Sequence, residues 1–484
     1  MNVSRRREYF RIHRFVRKYD RASGKFVFDV RYKTNVPLTD RTIAVAEAFG
    51  LGIDDEKEHV VLDNVELKIG PIDIVYVTGD SGSGKSVLLR ALKKDLGDEA
   101  VDIGDVQIDP SKPLIETVGK TVEEGLELLS RVGLNDAFLF LRSYNQLSDG
   151  QRYRYRLAKL VESGKQWWLM DEFCATLDRD TAKIIAFNLQ KLARQQGKAV
   201  IAATTHTDLL EDLNPNLHLH KRFGKEISVS YLNPKMENEC SIVKELYVAE
   251  GKMENWRQLA HFHYRSHNVA APRKVFCLWR KKSELCGVIV YTYPGPQCFG
   301  RKASGLTKYP MREINKRLST ISRVVVHPKY RTIGLGVKLV HETLPLVGTE
   351  FIEMPAVMAK YNPFAEKAGM TKVCEQPPSK EAQNIAEVLS NLGFNLQFLS
   401  SKSHVLSILS KLKPSEITQI KHAFIKNQTP RFLKYFAAHQ PYGIVSEYER
   451  RVKNANLERL AGLIKVTGFL LQTKVYLLWQ SQIP

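Results

Sequence analysis

The stretch 79–86 reads GDSGSGKS and fills every fixed position of the pattern G-x-x-x-x-G-K-[ST]. An apolar run at 74–77 precedes it and an apolar helical pattern follows, which predicts a strand, a tight turn and a helix. In such a turn, backbone N–H groups surround phosphate oxygens at the N-terminus of the helix, the lysine reaches the β- and γ-phosphates and the last hydroxyl can bind Mg²⁺. We therefore expect a nucleoside triphosphate to bind through Gly79, Asp80, Ser81, Gly82, Ser83, Gly84, Lys85 and Ser86.

Four more motifs follow in the order LSDGQ (147–151), WWLMDE (167–172), ATLD (175–178) and TTH (204–206). This series resembles the ABC-class ATPases, where the corresponding motifs are the signature, the Walker B strand, the D-loop and the switch histidine. The resemblance implies that Asp171 holds the hydration shell of Mg²⁺ and that Glu172 polarises the attacking water. It also implies that His206 contacts the γ-phosphate of ATP.

The same resemblance implies a site shared between two subunits. In ABC ATPases the signature of one domain completes the phosphate loop of another, and this chain has one copy of each motif. A homodimer closed by two ATP molecules is therefore expected. Within it, Ser148, Gly150 and Gln151 would contact the nucleotide of the partner, and Asp178 would link the two sites. Asp149 replaces the usual glycine of the signature at a tolerant position.

Two further contacts of the nucleotide are assigned by the resemblance. Gln107, in the sequence Asp-Val-Gln, is our interpretation of the glutamine that lies between the phosphate loop and the signature. With Ser86 and Asp171 it completes the expected Mg²⁺ site. For the aromatic ring that stacks on adenine, Phe49 and Tyr32 remain alternatives.

Composition limits the class of protein. A chain of 484 residues with 43% hydrophobic residues is long enough for about three folded domains. No apolar run approaches the ~20 residues of a membrane span, and the N-terminus has no apolar core of a secretion signal. The six cysteines form no C-x-x-C pair, which favours a reducing cytoplasm. We expect a cytoplasmic protein without membrane insertion, and a separate protein partner stays open.

The net charge of +20 and the pI near 9.5 favour a polyanionic partner, either RNA or DNA. A lysine-rich solvated surface is the alternative. Basic residues alternate with aromatic residues near the N-terminus, a pattern that suits phosphate contact and base stacking but equally an edge strand with packed rings. The residues concerned are Arg5, Arg6, Arg7, Tyr9, Phe10, Arg11, Arg14, Phe15, Arg17, Lys18, Tyr19 and Arg21.

A second phosphate-binding pattern occurs at 323–336, RVVVHPKYRTIGLG, and leads into a helical pattern at 337–340. A strand that ends in R-x-x-G-x-G before a helix resembles the acyl-CoA-binding motif of GNAT acetyltransferases. The strand at 351–358 and the segment FAEKAGM at 364–370 follow in the GNAT order. The resemblance implies that acetyl-CoA binds along the strand and at the turn, through Val324, Val326, Arg331, Thr332, Ile333, Gly334, Leu335 and Gly336.

The acceptor site of this second region is less well marked. The pair His263-Tyr264 resembles the histidine-tyrosine pair of phage Mom-type DNA-modifying GNAT proteins, and a histidine near neutrality can take a proton from an attacking amine. A structural role at the domain boundary is the alternative. Ala365 stands where many GNAT proteins have the tyrosine that protonates the leaving thiolate, and Tyr361 is the nearest substitute.

The sequence thus predicts an α/β multidomain protein: a P-loop ABC ATPase domain, an α+β GNAT domain and a C-terminal helical region. The expected boundaries are a basic N-terminal arm over 1–39, the ATPase over 40–235, the acetyltransferase over 236–378 and a helical accessory domain over 379–484.

Three hypotheses for function follow. The first is an ATP-hydrolysing enzyme coupled to an N-acyltransferase that modifies RNA, tRNA included, or DNA. The second is an acetyltransferase for protein lysine or a small amine, with the ATPase as a regulatory switch. The third is a nucleotide-gated nucleic-acid clamp with a degenerate, acyl-CoA-sensing GNAT fold.

Overall fold

The computed structural model describes residues 10–34, 39–50, 58–235, 238–263, 268–281, 283–357, 363–436 and 445–481. The expected catalytic residues Tyr264 and Tyr361 lie outside these ranges. The chain divides into two compact units. Unit 1 contains Met1–His267, Phe276–Val288 and Val325–Leu339, and unit 2 contains Asn268–Val275, Ile289–Val324 and Val340–Pro484.

Unit 1 begins with a three-stranded antiparallel sheet in the order β1-β2-β3. Its strands are β1 (Phe10–Asp20), β2 (Lys25–Thr34) and β3 (Glu58–Lys68), and helix α1 (Asp40–Ala48) lies between the last two in sequence. Phe26, Phe28 and Val30 on β2 are completely buried in one core with the central apolar residues of the next sheet. This sheet is therefore part of the hydrophobic core of unit 1.

The structure departs here from the basic arm expected over 1–39, because residues 10–34 are two strands of this sheet. The ring of Tyr19 stacks on that of Phe26 at 4.2 Å between centroids. Arg14 pairs with buried Asp29 at 3.0 Å. The interleaved aromatic and basic residues described on β1 therefore serve packing and ion pairing, as the edge-strand alternative predicts.

The second sheet of unit 1 has six strands in the order β5-β6-β7-β4-β8-β9, parallel except for the antiparallel pair β8 and β9. The residues of β4 and β7 are all buried, as expected for parallel strands covered on both faces. The strands are β4 (Ile74–Thr78), β5 (Ala100–Asp102), β6 (Trp167–Met170), β7 (Ala199–Ala203), β8 (Leu217–Lys221) and β9 (Ile227–Tyr231). The helices are α2 (Lys85–Leu96), α3 (Leu114–Thr117), α4 (Val122–Arg131), α5 (Ala137–Phe140), α6 (Asp149–Glu162), α7 (Arg179–Gln196) and α8 (Leu210–Leu213).

A third sheet has seven strands in the order β10-β11-β12-β13-β14-β16-β15. The strands are β10 (Leu246–Glu250), β11 (Pro272–Arg280), β12 (Glu284–Thr292), β13 (Leu318–Val326), β14 (Phe351–Ala356), β15 (Thr371–Gln376) and β16 (Lys474–Gln480). The helices between them are α9 (Met253–Leu259), α10 (Met311–Arg317), α11 (Leu335–Thr343) and α12 (Phe364–Lys367). Among the described residues, the parallel pairing of β13 with β14 covers only 318–320 against 351–353.

Six helices lie between β15 and β16 in the chain and enclose an apolar core of their own in unit 2. They are α13 (Lys380–Asn391), α14 (Lys402–Leu409), α15 (Pro414–Lys426), α16 (Pro430–Phe436), α17 (Val445–Lys453) and α18 (Leu457–Leu470). The helical region expected over 379–484 differs at its end, because β16 pairs with both β14 and β15. The continuous run of apolar and aromatic residues at 475–479 explains this strand. In the part of the chain that the structure describes, no helix has the length and apolar character to cross a membrane.

Candidate functional site

The turn at 79–86 connects β4 to α2 and is built around close backbone approaches. Gly79 has a φ of 142°, and a Cβ there would lie 1.9 Å from the carbonyl oxygen of Lys221. Gly84 has a φ of 104°, and a Cβ there would lie 2.4 Å from Cγ1 of Val61. Both positions therefore require glycine, which explains the two fixed glycines of the motif.

Donors inside this turn fit a phosphate group. Nζ of Lys85 donates to the carbonyl oxygens of Gly79 at 2.8 Å and Asp80 at 2.7 Å, so the ammonium group is folded over the turn. The hydroxyl of Ser83 is buried and has no hydrogen-bond partner among the described residues. Because an unpaired buried hydroxyl is costly, a phosphate oxygen is the acceptor that this cradle is suited to. Ser86 lies in the first turn of α2 and is exposed.

The catalytic residues expected for ATP hydrolysis come together because three neighbouring parallel strands end at the same edge. β6 leads to Asp171 and Glu172, β7 leads to His206, and β4 leads to the phosphate loop. Burial lowers the pKa of Lys85, and the negative charges of Asp171, Asp80 and Glu172 act against that shift. The two carboxylates that follow β6 are thus near enough to Lys85 to interact with its charge.

Glu172 has an unusual backbone conformation. Its φ is 53°, Cys174 has a φ of 58°, and both are left-handed conformations that cost energy for residues other than glycine. The N–H of Glu172 donates to Oδ1 of Asp171 at 3.0 Å, and the N–H of Cys174 donates to the hydroxyl of Tyr153 at 3.1 Å. The exposed side chain of Glu172 is therefore held by a strained but well-anchored segment.

The backbone of His206 is fixed on two sides. Its carbonyl accepts a hydrogen bond from the hydroxyl of Tyr76, and its N–H donates to Oγ1 of Thr204 at 3.3 Å. Burial, followed by the positive charge of Arg179, lowers the pKa of His206. A neutral ring at physiological pH can accept or donate one hydrogen bond at a γ-phosphate.

The signature residues begin α6 and face outward. The backbone N–H of Ser148 donates to Oε1 of Gln151 at 3.0 Å, and Ser148 is exposed. A Cβ on Gly150 would lie 3.2 Å from Cδ2 of Leu177, so α6 packs closely on the 175–178 segment. Asp178 then caps α7 by accepting the N–H of Thr181 at 3.2 Å. Ser148 and Asp149 of the signature are thus exposed at the start of this helix.

Two expectations from the sequence are not decided by the structure. Gln107 is exposed in the connection that follows β5, at the same end of the sheet as Asp171. Phe49 is 77% exposed just after α1, and Tyr32 is half-buried on β2. The roles of Gln107 at Mg²⁺ and of either ring at adenine stay predictions.

The turn at 331–336 joins β13 to α11, just as the turn at 79–86 joins β4 to α2. Thr332 has a φ of 74° and Gly334 a φ of 87°. A β-branched residue in this conformation is strained, and Oγ1 of Thr332 accepts a hydrogen bond of 2.7 Å from Nδ2 of Asn188. Thr332 and Gly334 are exposed, whereas Ile333 and Leu335 are buried. The exposed backbone at the start of α11 fits an anionic group such as a pyrophosphate.

The side chain of Arg331 is already occupied within unit 1. Its guanidinium donates to the carbonyl of Val326 at 3.0 Å and to the carbonyl of Asn135. Burial lowers the pKa of Arg331. A ligand at this turn would therefore meet backbone N–H groups, including that of Gly336, and not the guanidinium. Val324 and Val326 are half-buried and share one face of β13, since strand residues two apart point the same way.

His263 lies just after a short 3₁₀ turn that follows α9. Its ring makes an edge contact with Trp256, with 5.8 Å between centroids. Phe262 contacts His327, a residue whose pKa is lowered by burial and which the sequence analysis did not single out. Ala365 is buried.

Sequence reasoning also missed three charged residues beside the 175–178 segment, namely Asp180, Arg280 and Lys329. They are joined by ion pairs although they are far apart in the chain. Their only signal in the sequence is that Lys329 stands two residues before Arg331 and Asp180 two residues after Asp178.

Comparison with known proteins finds relatives over part of the chain. The phosphonates import ATP-binding protein PhnC 1 of Cupriavidus metallidurans is 26% identical over 253 residues, which are 42% of this chain and 87% of that protein. The cytochrome c biogenesis ATP-binding export protein CcmA of Gluconobacter oxydans is 30% identical over 169 residues, which are 31% of this chain and 77% of that protein.

Among solved structures, the dimeric post-hydrolysis state of the ATP-binding cassette MJ0796 bound to ADP and Pi aligns with a TM-score of 0.32 and 22% identity. The alignment covers 37% of this chain and 94% of that one. No family model matches the chain.

Proposed function

The chain belongs to the ABC ATPase family, and from this premise we propose that it binds ATP and Mg²⁺ and hydrolyses ATP as a homodimer. The observation that carries the proposal is the meeting of the phosphate loop, Asp171 with Glu172, and His206 at the ends of three neighbouring parallel strands. Ser86, Asp171 and Gln107 would hold Mg²⁺, which neutralises developing charge on the phosphates when bound.

Each of the expected catalytic residues then has a separate role in hydrolysis. Lys85 binds and orients the β- and γ-phosphates. Glu172 orients the attacking water and takes up its proton, and His206 holds the γ-phosphate. Ser148, Gly150 and Gln151 of one subunit close on the nucleotide of the other. This closure excludes bulk solvent and leaves the attacking water in the site. ATP turnover by the purified protein, lost in Lys85→Ala, tests this proposal.

We further propose that the region 236–378 transfers an acyl group from acetyl-CoA to an amine. The strained Thr332 in the turn between β13 and α11 supports this proposal, because strain of this kind clusters at ligand sites.

In the transfer step, the amine nitrogen attacks the thioester carbonyl, a C–N bond forms and the C–S bond breaks to release the CoA thiol. His263 would take the proton from the amine, and Tyr361 would protonate the leaving thiolate. Equilibrium binding of acetyl-CoA to the full chain, followed by mass spectrometry of acyl products, tests this proposal.

The acceptor that we favour is a nucleic acid. Several basic residues of the region are used internally, since Arg280 and Arg301 are buried in ion pairs. Exposed cations remain around Tyr309, whose ring lies 5.0 Å from Nζ of Lys308 and 4.8 Å from the guanidinium of Arg317. The exposed residues are Lys302, Lys308, Arg312 and Lys316. Together with the charge of +20 they support a polyanion as substrate.

The second candidate, a protein lysine or small amine as acceptor, would be favoured by a free acidic pocket at Glu353. The carboxylate of Glu353 is instead buried and bound by Arg301 at 2.6 Å, by Thr320 at 2.7 Å and by Tyr476 at 2.9 Å. These contacts favour a structural role for Glu353. The third candidate, a clamp with an acyl-CoA sensor, rests on Ala365.

One experiment separates the three candidates. Nucleosides and proteins from cells with and without this chain are compared by mass spectrometry. An acylated nucleoside that appears only with the chain supports the first candidate, and an acylated protein or amine supports the second. Salt-dependent binding of RNA or DNA without any acyl product supports the third.

A further inference from the structure

The start of α7 is tied to the segment between β13 and α11. Asp178 and Asp180 flank the first residue of α7, and Nζ of Lys329 lies 3.2 Å from Oδ1 of Asp178 and 2.7 Å from Oδ2 of Asp180. Asp178 also accepts hydrogen bonds from Thr181, at 3.2 Å from the backbone N–H and 2.6 Å from the hydroxyl. One lysine from outside the ATPase motifs thus bridges the last carboxylate of the D-loop sequence, Asp178, and a carboxylate just after it, Asp180.

This lysine bridge is part of a larger and partly buried ion network. Arg280 is 2% exposed, and its guanidinium donates to Asp180 at 3.0 Å, to Glu245 at 2.8 Å and to the hydroxyl of Tyr330 at 3.2 Å. Burial acts against ionisation of both groups, but hydrogen bonds from Arg280 and Lys329 keep the pKa of Asp180 well below the ordinary range, and hydrogen bonds with Asp180 and Asp178 raise the pKa of Lys329. The network therefore stays charged near neutrality, and its geometry is not free to relax.

Two further hydrogen bonds fix the same segment on the C-terminal side of Lys329. Asn188 on α7 donates to Thr332, and Arg331 donates to the carbonyl of Asn135. The chain around Lys329 is therefore held by α7 and by the loop before α5. Lys329 is consequently a rigid support for Asp178 and not a mobile surface lysine.

The segment supported in this way is the strained one. Between Glu172 and Asp178 the backbone contains left-handed conformations at Glu172 and Cys174. Such strain persists only where surrounding contacts fix it, and the contacts here are Asp171 at Glu172, Tyr153 at Cys174 and the ion network at Asp178. Loss of an anchor at one end should let Glu172 at the other end leave its working position.

We propose that Lys329 is a positioning residue for ATP hydrolysis, which holds the 171–178 segment so that Glu172 faces the attacking water. The proposal rests on the proposed function of Glu172 and Asp178. It means that the ATPase site depends on a residue from the segment that also forms the proposed acyl-carrier turn.

The test compares Lys329→Met with Lys329→Arg in the full chain. We expect Lys329→Met to lower kcat for ATP about tenfold, short of the roughly hundredfold loss that a misplacement of about 1 Å can cause. KM for ATP should not change, because Lys85 and the phosphate loop remain in place. Lys329→Arg keeps the charge and should recover most of kcat. Exposed Lys165 has no role in the network, so Lys165→Met is the matched control.

A purely structural role would lower Tm and the number of nucleotide sites per chain, but not kcat per bound nucleotide. Wild-type kcat in Lys329→Met, or an equal loss in Lys329→Arg, would overturn the proposal. If Lys329→Met does not fold, Lys329→Gln, which keeps a hydrogen-bond donor, replaces it with the same expected split between kcat and KM. Absence of ATP turnover in the wild type, or full turnover in Lys85→Ala, would instead reject the proposed ATPase function.

Discussion

The two tight turns at 79–86 and 331–336 both join a strand to a helix, but different groups hold them in shape. In the first, Gly79 and Gly84 allow backbone and side chains to approach within distances that no other residue permits. In the second, a Cβ on Gly334 would meet nothing within 4 Å, and the strained residue is Thr332, held by Asn188 of α7. The first turn is therefore fixed from within, whereas the second depends on its neighbours.

The largest effect should come from substitutions in the ATPase site that leave the second turn unchanged. Lys85→Ala and Glu172→Gln should each lower ATP turnover at least about a hundredfold, because each removes a charged group from the reacting phosphate or water. Glu172→Gln should in addition trap a closed dimer with ATP, measured by size-exclusion chromatography. Acetyl-CoA binding, measured by calorimetry, should be unchanged in both. Turnover that continues in both variants would contradict the assignment.

A matched pair of glycine substitutions tests the difference directly. Gly79→Ala places a methyl group against the carbonyl of Lys221 and should cost about 3 kcal/mol of folding free energy, at the upper end for overpacking. Gly334→Ala keeps a left-handed conformation in open space and should cost about 1 kcal/mol. Urea unfolding curves measure both values. Equal costs would show that the two turns are constrained alike.

The dependence of the second turn on α7 is tested by Asn188→Ala. Loss of one hydrogen bond to Thr332 should cost about 1 kcal/mol and weaken acetyl-CoA binding about fivefold, with KM for ATP unchanged. Asn384→Ala is the control, since Asn384 donates a comparable bond of 2.9 Å to Asn427 on the helical segment. If both variants weaken acetyl-CoA binding equally, the effect does not act through the turn.

The smallest expected effect is a pH dependence of folding stability at Thr78, the last residue of β4 before the first turn. Oγ1 of Thr78 lies 2.9 Å from Nε2 of His218 and 3.0 Å from Nδ1 of His220. Burial, then the charge of His220, lowers the pKa of His218 from its ordinary 6.5. The neutral ring therefore stabilises the fold above pH 6.5, and that contribution is lost as the pH falls below it. Tm measured from pH 7.5 to 5 should fall less in His218→Gln than in wild type or in the exposed control His59→Gln.

The parts of the molecule that sequence predicts well are those coded by neighbouring residues. The phosphate loop, Asp171 and Glu172 at the end of β6, and Ser148 at the start of α6 all lie where local patterns place them, because strand ends and helix starts are set within a few residues. Their roles in hydrolysis remain predictions.

The parts that sequence does not predict depend on contacts between distant segments. The same alternation of Arg and aromatic residues suits a free arm or an edge strand, and only the core around Phe26 favours the strand. The bridge from Lys329 to Asp178 joins residues 151 positions apart, and their nearness to Arg331 and to the D-loop sequence does not indicate that they pair. The pairing of β16 with β14 and β15 cannot be predicted from local sequence either, because the whole helical segment separates β16 from these two strands in the chain.

The position of β16 has a consequence for how the chain is made. β16 pairs with β14 on one side and β15 on the other, and Gln376 is opposite Lys474 across the ladder. During synthesis, six helices must leave the ribosome before this gap in the sheet can close. Until then β14 and β15 both carry unsatisfied backbone groups, which attract other strands. Early folding of the helical segment on its own core would bring the two ends of the gap together and shorten that exposed period.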